Sequence, residues 1–141
     1  MTSLQEAMAA RPELAGPLDD YLDATFAAVD PVVLELCRLR IATLHGDVRQ
    51  QQVRDDAVAA GLTDDKVAEL ADHHRSARFT DHERACLAYA EQFVIDVHGL
   101  TDGDADRVKD GMTDGDFVAF TVALGLLDGI GRMRLALDLQ P

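Results

Sequence analysis

Seven polar side chains stand in or beside apolar stretches of this chain and have the types that move protons or hold anions: Glu35, His45, Asp47, Arg49, Gln50, Arg54 and Arg132. Glu35 lies inside "PVVLELCRLRIATL". A carboxylate among such neighbours must be paired or carry a raised pKa. It is therefore either a buried ion-pair partner of Arg38 or Arg132, or a general base or proton relay. His45 closes the same stretch, where it can cap helix carbonyls at the negative end of the dipole. It is also the side chain best suited to proton transfer near neutral pH. Asp47 is an N-cap or a second base. Arg49 and Arg54 form either a solvated face or a clamp for a substrate carboxylate, and Gln50 fits both readings. The chemistry this set suggests is acid–base work on a small, anionic organic molecule.

Other reactive types carry less. His73 and His74 are adjacent on a polar stretch, and no H-x-x-x-H or E-x-x-H helical spacing occurs, so no metal site is expected. There is no phosphate loop or dinucleotide pattern, and no cofactor is expected. Cys37 and Cys86 both sit among apolar residues and read as buried free thiols rather than a disulfide. His98, just before Gly99, reads first as a helix C-terminal cap and second as a pocket residue.

The elements that must position these groups are helices, and no alternating β-branched run is long enough for a strand. We expect an all-α fold of about six to seven helices. Pro17 suits the first turn of a helix running to about Val29, and Asp30-Pro31 supplies an N-cap and an N1 proline for the next, to about Leu44. After His45-Gly46 a helix is expected from about Asp47 to Ala60, stopped by Gly61. Thr63 caps a shorter helix to about Ala71. Thr80 and Glu83 form a capping box for a helix reaching about Val97. "TDGD" at Thr101 and again at Thr113 starts two more, the last running apolar to Leu139. In that last helix Gly125, Gly129 and Gly131 point to close packing by a neighbour.

With 141 residues the chain fits a single domain, of which residues 1–30 read as a helical extension and 31–141 as the core. Thirteen Lys+Arg against 26 Asp+Glu give a net charge of −13, which repels nucleic-acid phosphates and anionic membranes. No segment has the roughly 18 uninterrupted apolar residues of a membrane span. The start "MTSLQEAMAARPEL" has no basic stretch followed by an apolar block, so a cytoplasmic location is expected.

Three blocks, in order, resemble the carboxymuconolactone decarboxylase and alkylhydroperoxidase D superfamily. "ELCRLRIATLHGDVRQQQVRDDAVAAGL" resembles its E-L-x-R-L-R…N-G-C-x-x-C-x-x-x-H…A-G-L core, "FTDHERACLAYAEQF" its F-S/T-x-x-E-R-A-A-L-x-Y-A-E segment, and "GDFVAFTVALGLLDGIGRMRLAL" its closing helix. The resemblance implies an alkylhydroperoxidase D-like helical fold assembled as a homo-oligomer, a trimer or hexamer with a dimer as the smaller alternative, and a reactive site near a subunit interface. It also implies that the motif glutamate is Glu35, that the two redox cysteines fall on Asp47 and Gln50, and that the motif histidine falls on Arg54. His45 stands where the family has asparagine. Peroxide reduction needs a thiolate and a second thiol to resolve its sulfenic acid, and neither Asp nor Gln supplies one. The reading is thus a member without the redox pair, acting as a decarboxylase, isomerase or other lyase in which Glu35, His45 and Asp47 move protons while Arg49, Gln50, Arg54 and Arg132 hold the substrate. The alternatives are a non-catalytic ligand-binding or structural oligomer, and residual thiol redox through Cys37 or Cys86.

Overall fold

A helix with almost no polar face sets the architecture. Pro31–Leu44 begins at Asp30, whose carboxylate accepts the N–H groups of Val32 and Val33 at 3.0 Å each. Pro31 takes the first position, where a missing N–H costs nothing. Val33, Leu34, Leu36, Cys37, Leu39, Ile41 and Ala42 are all buried, so this helix packs on several sides at once.

The computed structural model describes residues 2–141, and among them are eight α-helices and no strand. They are α1 (Leu4–Met8), α2 (Pro12–Ala27), the central α3 (Pro31–Leu44), α4 (Asp55–Ala59), α5 (Asp64–Ala68), α6 (Asp81–Ile95), α7 (Asp102–Lys109) and α8 (Asp114–Ala136). The α6 and α8 helices lie on α3, α2 crosses α8, and α7 covers α6. Their shared core includes Leu36, Leu39, Ile41, Leu87, Ala90, Phe120 and Leu124. Thr80–Glu83, Thr101–Asp104 and Thr113–Asp116 form reciprocal capping boxes at the starts of α6, α7 and α8, as their sequences predict. No helix among the described residues is long and apolar enough to cross a membrane.

Four elements differ from the sequence reading. The helix expected to start at Pro17 starts at Pro12, with Pro17 inside it; the ring leaves one backbone bond unmade without ending the helix. The short α1, capped by Ser3 and Glu6, had no apolar periodicity to reveal it and raises the helix count to eight. The continuous helix expected over Asp47–Ala60 is instead a 3-10 turn (Val48–Gln50), an extended stretch, and the five-residue α4. The last helix also stops at Ala136 rather than Leu139, where Asp138 enters the left-handed region at φ 51°.

The exit from α3 is a Schellman turn. Gly46 takes φ +72°, its N–H reaches the Thr43 carbonyl at 3.0 Å, and the Asp47 N–H reaches that of Ala42 at 2.9 Å. This turn folds Asp47 back against the helix. Gly46→Ala would place a side chain in the left-handed region and should lower stability by about 1–2 kcal/mol, read as a lower urea midpoint at unchanged slope.

Candidate functional site

The first residue to place is Glu35, at 2% exposure in the middle of α3. Its carboxylate accepts the Arg38 guanidinium, through Nε on Oε1 and through Nη2 on Oε2 at 3.1 Å. Oε2 also accepts the backbone N–H of Arg54 at 2.5 Å. Arg38 continues outward, donating to the carbonyls of Gln50 at 3.1 Å and Gln52 at 2.6 Å. The pair thus takes the backbone groups of residues 50–54 that a helix would otherwise have used. That is why the expected helix gives way to an extended stretch here. Of the two ion-pair partners expected for Glu35, Arg38 is the one found.

Asp47 does act as an N-cap, but of the 3-10 turn: Oδ1 accepts the Arg49 N–H at 3.2 Å and Arg49 Nε at 3.1 Å. Arg49 bridges onward to Asp138 at 3.2 Å, and these two carboxylates raise its pKa, its hydrogen bond to Asp47 most of all. Arg54 is half exposed, with Asp56 3.6 Å away. Arg132 points away from this cluster and pairs with Asp128 at 2.9 Å.

Asp128 does more than hold Arg132. The same oxygen receives His45 Nε2 at 2.7 Å, which leaves Nδ1 as the lone-pair nitrogen of the neutral ring. The Nδ1–Cε1 edge of that ring faces α8, where a β-carbon on Gly131 would sit 2.7 Å from Nδ1 and 2.8 Å from Cε1. Of the three glycines in α8, Gly131 is the one whose lack of a side chain makes room for a functional group. A β-carbon at Gly129 would meet nothing, and one at Gly125 would be in ordinary contact with Phe93.

Arg38, Arg49, Gln50 and Arg54 border an open groove of about 710 Å³. Arg38, Arg49, Arg54 and Arg134 line it together with Asp19, Asp55 and Asp56, and Leu4, Leu22, Phe26, Leu127 and Ile130 contribute apolar surface. Behind it, sharing Arg38, Gln50 and Arg134 with the groove, is a chamber of about 30 Å³ that His45, Asp47 and Gly131 also line. The structure therefore brings together His45, Asp47, Arg49, Gln50 and Arg54. Glu35 lines neither space, and Arg132 borders a separate hollow with Leu44, His45, Val94 and Ile95.

Arg134 is the functional candidate absent from the sequence reading. It makes no ion pair, and its Nε is buried without a hydrogen-bond partner. Burial lowers its pKa first, the nearby Arg38 adds to this, and Asp47 opposes it. The signal was available: Leu127, Ile130, Gly131 and Arg134 share the i, i+3, i+4, i+7 stripe of α8, whereas Arg132 falls on the other side.

The remaining candidates lie elsewhere. Cys37 and Cys86 are fully buried free thiols outside the groove. Burial pushes Cys37 well above its ordinary value and Cys86 up to about 12. His73 is buried against Glu91 at 2.7 Å, while His98 is exposed in the 3-10 turn Val97–Gly99. Among the described residues no three His, Cys, Asp or Glu side chains converge as a metal-ligand set.

This fold is shared with a solved structure. The crystal structure of an Agrobacterium tumefaciens protein of unknown function, with a suggested role in antioxidant defence as an AhpD protein, superposes with a TM-score of 0.78. It covers 99% of this chain and 97% of the other at 20% identity, which establishes the alkylhydroperoxidase D-like fold. The sequence model of the carboxymuconolactone decarboxylase family matches residues 12–92, and the chain belongs to that family. That match begins in α2 and ends in α6, so it contains the whole turn from His45 to Gln50. No curated protein matches the chain in sequence.

Because a Gly131 side chain would overlap the imidazole, Gly131→Ala should displace His45 from Asp128. The expected outcome is a changed His45 imidazole ¹⁵N signal and a loss of about 1–3 kcal/mol of stability, with the α6 and α7 amide signals unmoved.

Proposed function

We propose that this protein is an acid–base enzyme of lyase or isomerase type acting on a small organic anion with an apolar body. One observation carries the reading: Arg134 is a half-buried guanidinium without an ion pair, on the border of a groove to which Leu4, Leu22, Phe26, Leu127 and Ile130 add apolar surface. An unpaired buried charge is expensive, and a ligand carboxylate is the partner it lacks. A planar carboxylate matches the guanidinium fork.

The roles divide by geometry. His45, oriented by Asp128, moves the proton, and Asp47 is the second proton-transfer group. Arg134, Arg49 and Arg54 hold the anion, with Gln50 as a neutral donor beside them. Arg132 fixes Asp128 and so acts on His45 rather than on the ligand. Glu35 is a positioning residue: both of its oxygens are engaged, and it acts by holding Arg38 and the backbone of Arg54. Thiol peroxidase chemistry is not part of this reading, because the positions aligned with the redox pair are Asp47 and Gln50 and both cysteines are buried with raised pKa values. The groove belongs to a cytoplasmic homo-oligomer in this reading. Exposed Ile95, Val97, Val118, Leu135 and Leu137 supply apolar surface for its contacts.

Benzoate, an apolar ring bearing one carboxylate, is the probe. Wild type should bind it, Arg134→Gln at least tenfold more weakly, and Arg132→Gln within twofold of wild type, by titration calorimetry. In a screen of decarboxylatable and C–H-acidic carboxylates, His45→Ala should lose about 10²-fold or more in turnover while keeping benzoate affinity. Equal benzoate binding by wild type and Arg134→Gln contradicts the reading; binding without turnover of any acid in the screen leaves a ligand-binding oligomer instead.

A further inference from the structure

Three residues that line the inner chamber each carry a buried polar atom with no partner in the protein: Asp47 Oδ2, Gln50 Nε2 and Arg134 Nε. Asp47 and Gln50 are only 3% and 9% exposed. A buried polar atom left unsatisfied costs roughly 1–3 kcal/mol, so three in one small space form a built site that asks for an occupant. The set is one acceptor and two donors, which a bare anion satisfies poorly because Asp47 repels it. A water molecule satisfies all three, accepting from Gln50 and Arg134 and donating to Asp47. Size makes the same choice. The chamber is about 30 Å³, while a water needs at least about 10–15 Å³ and occupies about 30 Å³ in the liquid. An organic acid belongs in the groove of about 710 Å³ outside.

Water held in this way has one hydrogen left. His45 also lines the chamber, and its Nδ1, the nitrogen not engaged by Asp128, lies beside Gly131, another lining residue. We infer that the chamber is a binding site for one water, fixed by Asp47, Gln50 and Arg134, and that this water is a reactant deprotonated by His45. The inference rests on the anion-binding reading of the groove and narrows its chemistry to reversible hydration of a conjugated unsaturated carboxylate. His45 Nδ1 takes one proton from the water while the oxygen bonds to the β-carbon. The carbon–carbon π pair moves toward the ligand carboxylate, where the groove's arginines stabilise the added charge. The imidazolium then returns its proton to the α-carbon, so the sum is one H₂O added across one double bond. Asp47 keeps the remaining water hydrogen and aims the oxygen, and Gln50 and Arg134 steady the hydroxide as it forms.

The test is a crystal structure of the benzoate complex at about 1.3 Å together with incubation of cinnamate and crotonate in H₂¹⁸O. Expected are one water within about 3.2 Å of the three atoms and of His45 Nδ1, and a hydroxy acid carrying one ¹⁸O. Formation of that acid should fall at least 100-fold in His45→Ala and in Gln50→Leu, with benzoate affinity retained in His45→Ala. Direct pairing of the three side chains, an ion in place of the water, or no ¹⁸O product from either acid overturns the inference. Retained benzoate binding in that event leaves the groove reading standing, whereas loss of the Arg134 effect on benzoate defeats the groove reading itself.

Discussion

Two charged side chains one turn apart on α3 decide where the chain goes after that helix ends. Glu35 is nearly inaccessible, and an ion pair at such depth loses several kcal/mol of hydration that its own attraction only partly restores. The remainder comes from backbone. The Gln50 and Gln52 carbonyls complete Arg38, and the Arg54 N–H completes Glu35. The dependence runs both ways, because the extended stretch before α4 obtains from the pair the hydrogen bonds that an unbroken helix would have made internally. Remove either side and the other is left with buried, unpaired groups.

The site follows from that constraint. Holding the backbone from Gln50 to Arg54 against the pair keeps the Gln50 side chain buried and leaves Asp47, already folded back by the Gly46 turn, near it in the 3-10 turn. In a protein of net charge −13 four arginines meet at one groove. Arg38 is consumed by Glu35 and the backbone, and Arg49 is shared between Asp47 and Asp138. Arg134 alone among the four has no acidic neighbour in contact, which is why the functional reading centres on it. On the opposite side of α8, Asp128 gathers Arg132 and His45 on a single oxygen. Charge neutralisation and ring orientation are thereby coupled in one group.

Much of the fold was legible because its signals are local. Asp30-Pro31, the three Thr-x-x-Asp/Glu boxes and Gly61 mark helix ends by their own hydrogen bonds, and each stands where the sequence placed it. The reactive turn was legible as a location and not as a shape. Asp47 was a correct N-cap, yet the helix expected after it is stopped by Glu35 and Arg38, twelve and nine residues before it in sequence. No local propensity reports such a contact. The two arginines of α8 show the same limit: which of Arg132 and Arg134 faces the groove depends on helix rotation, and only the position of the Leu127, Ile130 and Gly131 stripe fixes it.

Amide hydrogen exchange at Arg54 tests the central dependence directly, because that N–H is given to Glu35 and to no backbone carbonyl. In the native protein the Arg54 amide should exchange far more slowly than those of exposed Gln51 and Gln52, and in Glu35→Gln it should lose most of that protection while amides in α6 and α8 keep theirs. An Arg54 amide that exchanges as fast as its exposed neighbours in the native protein, or that is equally protected in both forms, would contradict the account.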